Sequence, residues 1–539
     1  MPSCGYNANT MKSKQRSNAL NLNRRDLFRA GSLAAATGLA SSTAAAAGIA
    51  ENPSVYTELG VKPFINTTAT LTINGGSRQL DEVIAAVEAA SRFHVNIDEL
   101  MEKAGERLSQ LLKCDWAMVT SGAAAALTHA TAACVAGADP EAMLQLPNLS
   151  GLKSEVIMPK WSRNQYDHAI RAVGVAIVEV ETPEQARNAV SSRTAMIAML
   201  GDKWQKETVT LDDFAEISRR TGVPILVDAA ADPLVAPDPY LARGASLVAY
   251  SGGKILRGPQ TAGLLLGRKD LVRAAFRNSA PHHAVGRALK VSKEEIVGIV
   301  KAVEVWVTRR NLEQECREWE SWYAHITSEI TKTAGVSAKV NPPRRGGPFP
   351  TLTIEWDPAK VALTAGQVGK LLLEGEPRIQ SHAAGDGTSF ALRPVAMKPG
   401  EYKIVASRLR QIFDSHRGTL VRPQVEAPAS NIAGNWDVGI DFIAGKGRHR
   451  LYLETVGSQV RGIHHGRVKH GDLSGTVSGD EVRLTSALAF EGSRLEYTFA
   501  GKVSGDSMSG ELHCGEHGTA KWTAVRHRSG SVSRDPSKA

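Results

Sequence analysis

Residues 249–263 read "AYSGGKILRGPQTAG", with a lysine set behind a serine and two glycines, directly after an apolar run. A surface lysine needs no such surroundings. A lysine that bonds covalently to something flat and phosphorylated does. Glycine admits close backbone approach, and a hydroxyl beside compact backbone suits a phosphate. Lys254 is therefore a candidate for a Schiff base with an aldehyde group.

The flanking sequence supplies the setting. "SLVAYSGG" and "TAGLLLG" read as short buried strands bounded by turn residues, as do "WAMVTSG", "SEVIMP", "VAIVEV", "TAMIAML" and "PILVDAA". "DEVIAAVEAASRF" and "IDELMEKAGERLSQLL" have helical spacing. This alternation predicts an α/β domain with a largely parallel sheet over residues 52–320. Ligands bind at the carboxyl ends of the strands in such sheets. One long helical stretch, residues 292–330, then leads into a smaller α+β domain over 321–420, which closes with the helix "EYKIVASRLRQIFDSH".

Composition shifts at residues 421–430, a Pro-containing linker. Residues 431–527 are rich in short alternating strands and glycine turns, and "GTVSGDEVRL" and "GKVSGDSMSG" resemble a repeated hairpin. They predict an antiparallel β-barrel or sandwich with Trp436 and Trp522 near its ends. The pair His464 and His465 reads as a solvated strand end rather than a metal site, and no metal is expected. Residues 528–539 read as a disordered tail.

The first 47 residues stand apart. Arg24 and Arg25, followed by Asp26, Leu27 and Phe28, precede a mildly apolar run ending in small residues. This is the layout of a twin-arginine export signal, with cleavage expected near residues 44–47. The expected location is the periplasm or another exported compartment, and the export machinery is an expected partner. That route suits proteins that fold around a cofactor before export. The leader carries a net +5, so the formal +9 of the whole chain falls to about +4 for the remainder. Such a balance gives no reason to expect nucleic acid binding. No apolar run is long enough for stable membrane insertion. Beyond Cys4, the cysteines Cys114, Cys134, Cys316 and Cys514 are scattered and read as buried thiols, with one disulfide as the alternative.

Four stretches carry the chemistry. In "VTSGAAAALTHATAAC" (119–134), Ser121 and Gly122 end a strand and open a helix, whose free N–H groups suit a phosphate. An ordinary serine N-cap reads the same way. In "PILVDAAADP" (224–233), Asp228 ends an apolar strand, where a carboxylate faces the ligand crevice and can hold a protonated pyridine nitrogen. In the opening stretch, Ser251 and the glycines accompany Lys254. In "PKWSRNQYDHAIRAVG" (159–174), Arg163, Tyr166, Asp167, His168 and Arg171 form either a loop over a bound ring or a helix start capped by Asp167.

These stretches, with "GVKPFINTTATLTINGGS" and "VGRALKVSKEEIVGIVKAV", occur in the order of a known family. Residues 54–420 resemble the fold-type-I, aminotransferase class V-like enzymes dependent on pyridoxal 5'-phosphate. That family groups bacterial L-seryl-tRNA(Sec) selenium transferase with D-glucosaminate-6-phosphate ammonia lyase. The resemblance implies a large cofactor-binding domain, a small domain and a homodimer or larger homo-oligomer with its active site at the interface. It implies that Lys254 holds the cofactor as a Schiff base and that Asp228 pairs with the ring nitrogen. Ser121, Gly122, Ala123 and Ser251 would contact the phosphate. His168 would flank the ring, and Arg393 in "FALRPVAMKPGE" would take the substrate carboxylate.

The activity so implied is α,β-elimination from a small amino acid or amino-sugar acid, an ammonia-lyase reaction. Racemisation, selenium transferase-like transfer and non-catalytic binding on the same fold are the alternatives. The short leader stands where tRNA-dependent selenium transferases carry a tRNA-binding domain, which disfavours that activity. The β-domain falls outside the family pattern.

Overall fold

The computed structural model describes residues 54–201, 207–344, 347–422 and 424–527. The expected leader and tail lie outside the described residues. The described residues divide into a short segment, 54–63, and a unit that begins at Phe64. In the first, Ser54–Thr57 forms one helical turn. Among the described residues, no helix is long and apolar enough to cross a membrane.

The second unit opens with strand β1 (Ile65–Asn66). It continues with β2 (Trp116–Thr120), β3 (Glu155–Pro159), β4 (Ala176–Val180), β5 (Thr194–Leu200), β6 (Ile225–Asp228), β7 (Leu247–Ser251) and β8 (Gly263–Gly267). Strands β2 to β8 form one sheet in the order β2-β8-β7-β6-β5-β3-β4. Only β8 runs against its neighbours in this sheet. Every residue of β2 and β8 is buried, which is why these strands read as unbroken apolar runs. The carboxyl ends of β2, β5, β6 and β7 open on one edge and bring Thr120, Leu200, Asp228 and Ser251 to it.

The helix Gly122–Ala136 starts at this edge and packs against β8, β7, β6, β5 and β2 with eleven of its fifteen residues buried, so it carries no polar face. Its alanines keep it thin. The start of β8 lies so close that a Cβ on Gly263 would sit 2.4 Å from the Gly122 carbonyl carbon.

The stretch 292–330 is two helices, Lys293–Thr308 and Leu312–Ile330, rather than one. Apolar periodicity runs through the break, but the Asn311 side chain accepts a hydrogen bond from the Gln314 N–H and starts a new helix. Arg310 turns inward there, donating to the Ile255 carbonyl at 2.6 Å and gripping both oxygens of Glu315.

The small domain is a three-stranded antiparallel sheet of β9 (Val336–Asn341), β10 (Thr351–Trp356) and β12 (Ser389–Leu392), in the order β12-β10-β9. The helices Leu312–Ile330 and Glu401–Ser415 close its core around Tyr323, Leu352 and Phe413. Strand β11 (Ile379–Gln380) pairs in parallel with β1, Ile65 opposite Ile379. Ile65 and Ala69 sit in the small domain's core, although they precede the large domain in sequence.

Residues 421–430 form no helix or strand among those described. Beyond them, eight strands form a closed antiparallel barrel: β13 (Gly434–Phe442), β14 (Gly445–Val456), β15 (Gln459–His465), β16 (His470–Ser478), β17 (Glu481–Phe490), β18 (Ser493–Ser504), β19 (Ser507–His513) and β20 (Thr519–Arg526). Each strand pairs with the next, and β13 closes on β20. The two repeated SGD segments form the β16–β17 and β18–β19 turns, with Gly479 and Gly505 at positive φ. Trp436 and Trp522 are both buried in the barrel core.

One expectation fails here. His464 is not at a solvated end but fully buried inside the barrel. Its Nε2 meets His449 Nδ1 at 2.8 Å and its Nδ1 meets Ser486 Oγ at 2.6 Å. Strand alternation from Val460 turns it inward, and His465 faces out. Burial holds the His464 imidazole down at about 3, so it stays neutral. The four described cysteines are free thiols.

Candidate active site

A cavity of about 340 Å³ opens at the carboxyl edge of the large sheet. Gly122, Ala123, Asp228, Ser251 and Lys254 all line it, brought together from two strand ends, the turn after β7 and one helix start. Ser121 precedes the helix as its N-cap but is not among the lining residues, and its side chain makes no capping bond. Gly122 has φ +78°, a conformation that side chains rarely adopt, and it has no neighbour closer than 3.7 Å where a Cβ would be. The helix start thus presents open backbone N–H groups to the cavity.

Gly253 lines the cavity, and both glycines before Lys254 also serve the local packing. A Cβ on Gly252 would meet Ile299 at 2.5 Å, and one on Gly253 would meet Gln260 backbone at 2.7 Å. They let the 251–262 turn fold onto itself, and that turn aims Lys254 inward.

Lys254 is half-buried, and its Nζ makes no hydrogen bond or ion pair among the described residues. Burial lowers its pKa, opposed by the nearby carboxylates of Asp228 and Asp232. Asp228 accepts from the Ala230 N–H at 3.0 Å through Oδ1. Burial raises its pKa, with Asp232 and Asp167 adding to the rise, while the Ala230 amide and Lys254 pull it back. A cationic ring nitrogen beside Asp228 would offset that cost. Tyr240 donates to Asp232 at 2.5 Å and fixes its carboxylate.

A second cavity of about 250 Å³ adjoins the first and shares Thr70, Thr72, Tyr166, Ala231 and Lys254 with it. Arg393 lines this one. Its Nη1 is buried with no partner among the described residues, and burial, reinforced by Arg344, lowers its pKa. A buried guanidinium nitrogen left unpaired is costly until an anion reaches it. His382 lies beside it, with Nε2 3.1 Å from the Thr68 carbonyl oxygen. Burial first and Arg393 second lower the His382 pKa, favouring the neutral ring.

The wall between the cavities comes from "INTTATLT". The Asn66 side chain accepts from the Thr68 N–H and hydroxyl, both at 2.8 Å, and donates to the Ala69 carbonyl at 3.0 Å. The tight turn places Ala69 at φ +69°, a strained conformation of the kind stored at functional sites.

His168 does not join the site. It is exposed on the short helix Asp167–Arg171 and lines neither cavity. Tyr166, two residues earlier, lines both. Asp167 does not cap that helix; it is buried in an ion pair with Arg163. Sequence reasoning also passed over Thr70, Thr72, Gln260 and His382. The run of threonines after Asn66 was the available signal for the first two.

The donor set fits pyridoxal phosphate. It offers open amides at a helix start, an acid at a strand end, an unpartnered half-buried lysine and a cavity of suitable size. A family profile described as SelA, L-seryl-tRNA selenium transferase, matches residues 65–319. D-glucosaminate-6-phosphate ammonia lyase of Salmonella typhimurium is 30% identical over 381 residues, covering 67% of this chain and 98% of that protein. A Streptomyces 5'-C-glycyluridine monooxygenase-decarboxylase is 31% identical over 381 residues, covering 67% of this chain and 93% of that protein. The solved structure of D-glucosaminate-6-phosphate ammonia-lyase superposes with a TM-score of 0.60 at 29% identity, covering 68% of this chain and 99% of that one. The barrel lies beyond the residues that the family profile matches. This chain belongs to the SelA-like family of pyridoxal-phosphate-dependent enzymes, beside D-glucosaminate-6-phosphate ammonia lyase.

Proposed function

We propose that the protein is an ammonia lyase that eliminates a β-substituent from a small amino acid or amino-sugar acid and releases a 2-keto acid and ammonia. The observation that carries this reading is the pairing of two cavities through Lys254. One has a phosphate-type helix start and an acid, and the other has an unpaired arginine. Bound pyridoxal phosphate supplies an electron sink for negative charge developing at the substrate Cα.

The chain's own residues do the rest. The N–H groups of Gly122 and Ala123 hold the phosphate end. Asp228 keeps the ring nitrogen protonated. Lys254 would hold the aldehyde end of the cofactor, and its Nζ, with a pKa lowered by burial, would take the Cα proton. Arg393 binds the substrate carboxylate. Tyr166 covers the cavity mouth and excludes water.

The test is a visible absorption spectrum of the full chain loaded with pyridoxal phosphate, titrated with D- and L-amino acids and amino-sugar acids, with ammonia and keto acid measured. The expected result is a spectral shift with one substrate class and equal yields of both products. A loaded chain whose spectrum no substrate class changes would sink the proposal. The similarity to a monooxygenase-decarboxylase supports a second reading, in which the bond to the carboxylate breaks instead. Release of CO2 without ammonia would favour it.

We further propose that the enzyme is a homo-oligomer and is exported through the leader containing Arg24 and Arg25. Light scattering tests the first. Cell fractionation of an Arg24→Lys, Arg25→Lys chain tests the second, and unchanged location would refute it.

A further inference from the structure

The barrel touches the large domain at a particular place. The turn between β17 and β18 consists of Glu491 and Gly492, both at positive φ. Glu491 pairs with Arg163 at 2.9 Å. Arg163 is almost fully buried and also pairs with Asp167, in its own loop, and with Glu179 at the end of β4. One guanidinium therefore holds carboxylates from three separate parts of the chain.

Gly492 fits against the same loop without space to spare. A Cβ there would lie 2.6 Å from Asp167 Oδ2, 2.7 Å from the Asn164 carbonyl oxygen and 2.8 Å from the Asn164 nitrogen. The loop itself is tied down on its inner side. Ser162 Oγ accepts from the Leu200 N–H at 2.8 Å, and Asn164 Oδ1 accepts from the Tyr166 N–H at 2.8 Å. Leu200 and Tyr166 both line the main cavity. Contacts thus run unbroken from the barrel turn through Arg163 and Asn164 to the residue over the cavity mouth.

We infer that the C-terminal barrel is a structural part of the active site: its β17–β18 turn clamps the 162–167 loop, with Arg163 as a positioning residue that fixes Tyr166 over the cavity. This rests on the reading of the cavity as the pyridoxal phosphate site. Arg163 touches neither cavity and acts through the loop. The matched family profile spans residues 65–319 and leaves the barrel outside, so in this chain the barrel bears on the cavity through the 162–167 loop.

Gly492→Val in the full chain tests this. Gly505→Val is the matched control. Gly505 has the same left-handed backbone in the β18–β19 turn but nothing within 4 Å of a Cβ. Both substitutions strain a barrel turn, and only one pushes on the loop. Two readouts are taken: hydrogen exchange of amides 162–171 in the cofactor-free chain, and visible circular dichroism of the loaded chain, which reports ring orientation.

Gly492→Val is expected to speed exchange in the loop by about tenfold or more and to change the visible dichroism. Gly505→Val is expected to do neither. Identical behaviour of the two variants would overturn the inference. So would a loosened loop with unchanged dichroism. A wild-type chain that takes up no pyridoxal phosphate would overturn the functional reading, while exchange in the cofactor-free chain would still decide whether the turn clamps the loop.

Discussion

Gly263→Ala is a sharp test of the phosphate end of the site. The added Cβ would lie 2.4 Å from the Gly122 carbonyl carbon, 2.7 Å from the Ala123 nitrogen and 2.8 Å from Gly122 Cα. These are backbone atoms, so no side chain can rotate out of the way. Restoring an ordinary 3.4 Å contact needs a shift of ~1 Å between β8 and the helix start. Overpacking of this kind costs about 1–3 kcal/mol. That leaves a domain of ordinary stability, about 5–15 kcal/mol, folded. The displaced groups are the amides assigned to the phosphate. Losing one charge-assisted hydrogen bond there costs about 1.5–3 kcal/mol, or about 10- to 150-fold in affinity.

The assay measures the dissociation constants of pyridoxal phosphate and of pyridoxal, which lacks the phosphate, for wild type and variant. Pyridoxal phosphate should weaken by that factor and pyridoxal should bind as before. Equal losses for both, or no loss for either, would refute the assignment of the helix start to the phosphate.

Other expectations follow from the same geometry. Lys254→Ala should abolish the visible band of the loaded chain and lower turnover by about 10²- to 10⁴-fold, measured by absorption and ammonia release. Arg393→Ala should raise KM by about 10- to 100-fold with a smaller effect on kcat, because a carboxylate contact made before and during reaction is lost. The barrel should weaken in acid. His464 titrates at about 3 when folded and at its ordinary 6.5 when unfolded. The unfolded chain therefore takes up the proton first, and stability falls as pH drops from about 6.5 towards 3, by at most about 1.4 kcal/mol per pH unit from this group. Denaturant melts across that range should show the slope, and His464→Asn should flatten it. His129, buried in the helix Gly122–Ala136 with a folded value of about 4, adds to the slope in the large domain.

The large sheet was legible because buried parallel strands leave unbroken apolar runs, and because the residues after them, Ser121, Asp228 and Lys254, are chemically conspicuous. What escaped was set by contacts distant in sequence. The choice between Tyr166 and His168 depends on the pose of the 162–167 loop, which Arg163 fixes through Glu491, 328 residues away. No local pattern carries that information. Ala69 looks like any alanine until the Asn66 side chain folds the turn around it. His464 was readable in principle: alternation from Val460 points it inward, and treating it as one unit with His465 concealed that. The break at Asn311 likewise rests on one capping side chain within otherwise continuous helical spacing.

The pairing of β1 with β11 has a consequence for the order of events as the chain is made. Ile65 emerges from the ribosome more than three hundred residues before Ile379, its neighbour in the finished fold. Until then the turn through Thr68, Ala69 and Thr70 has no partner strand, and the wall between the two cavities cannot form. A nascent chain can complete the sheet that carries Asp228 and Lys254 and still lack a closed pocket. The barrel, whose strands each pair with the next, has no such wait apart from its final closure of β20 on β13. The barrel, translated after the catalytic region, is thus the part better able to fold promptly, and the segment that carries β1 has to wait for a strand near the end of the catalytic region.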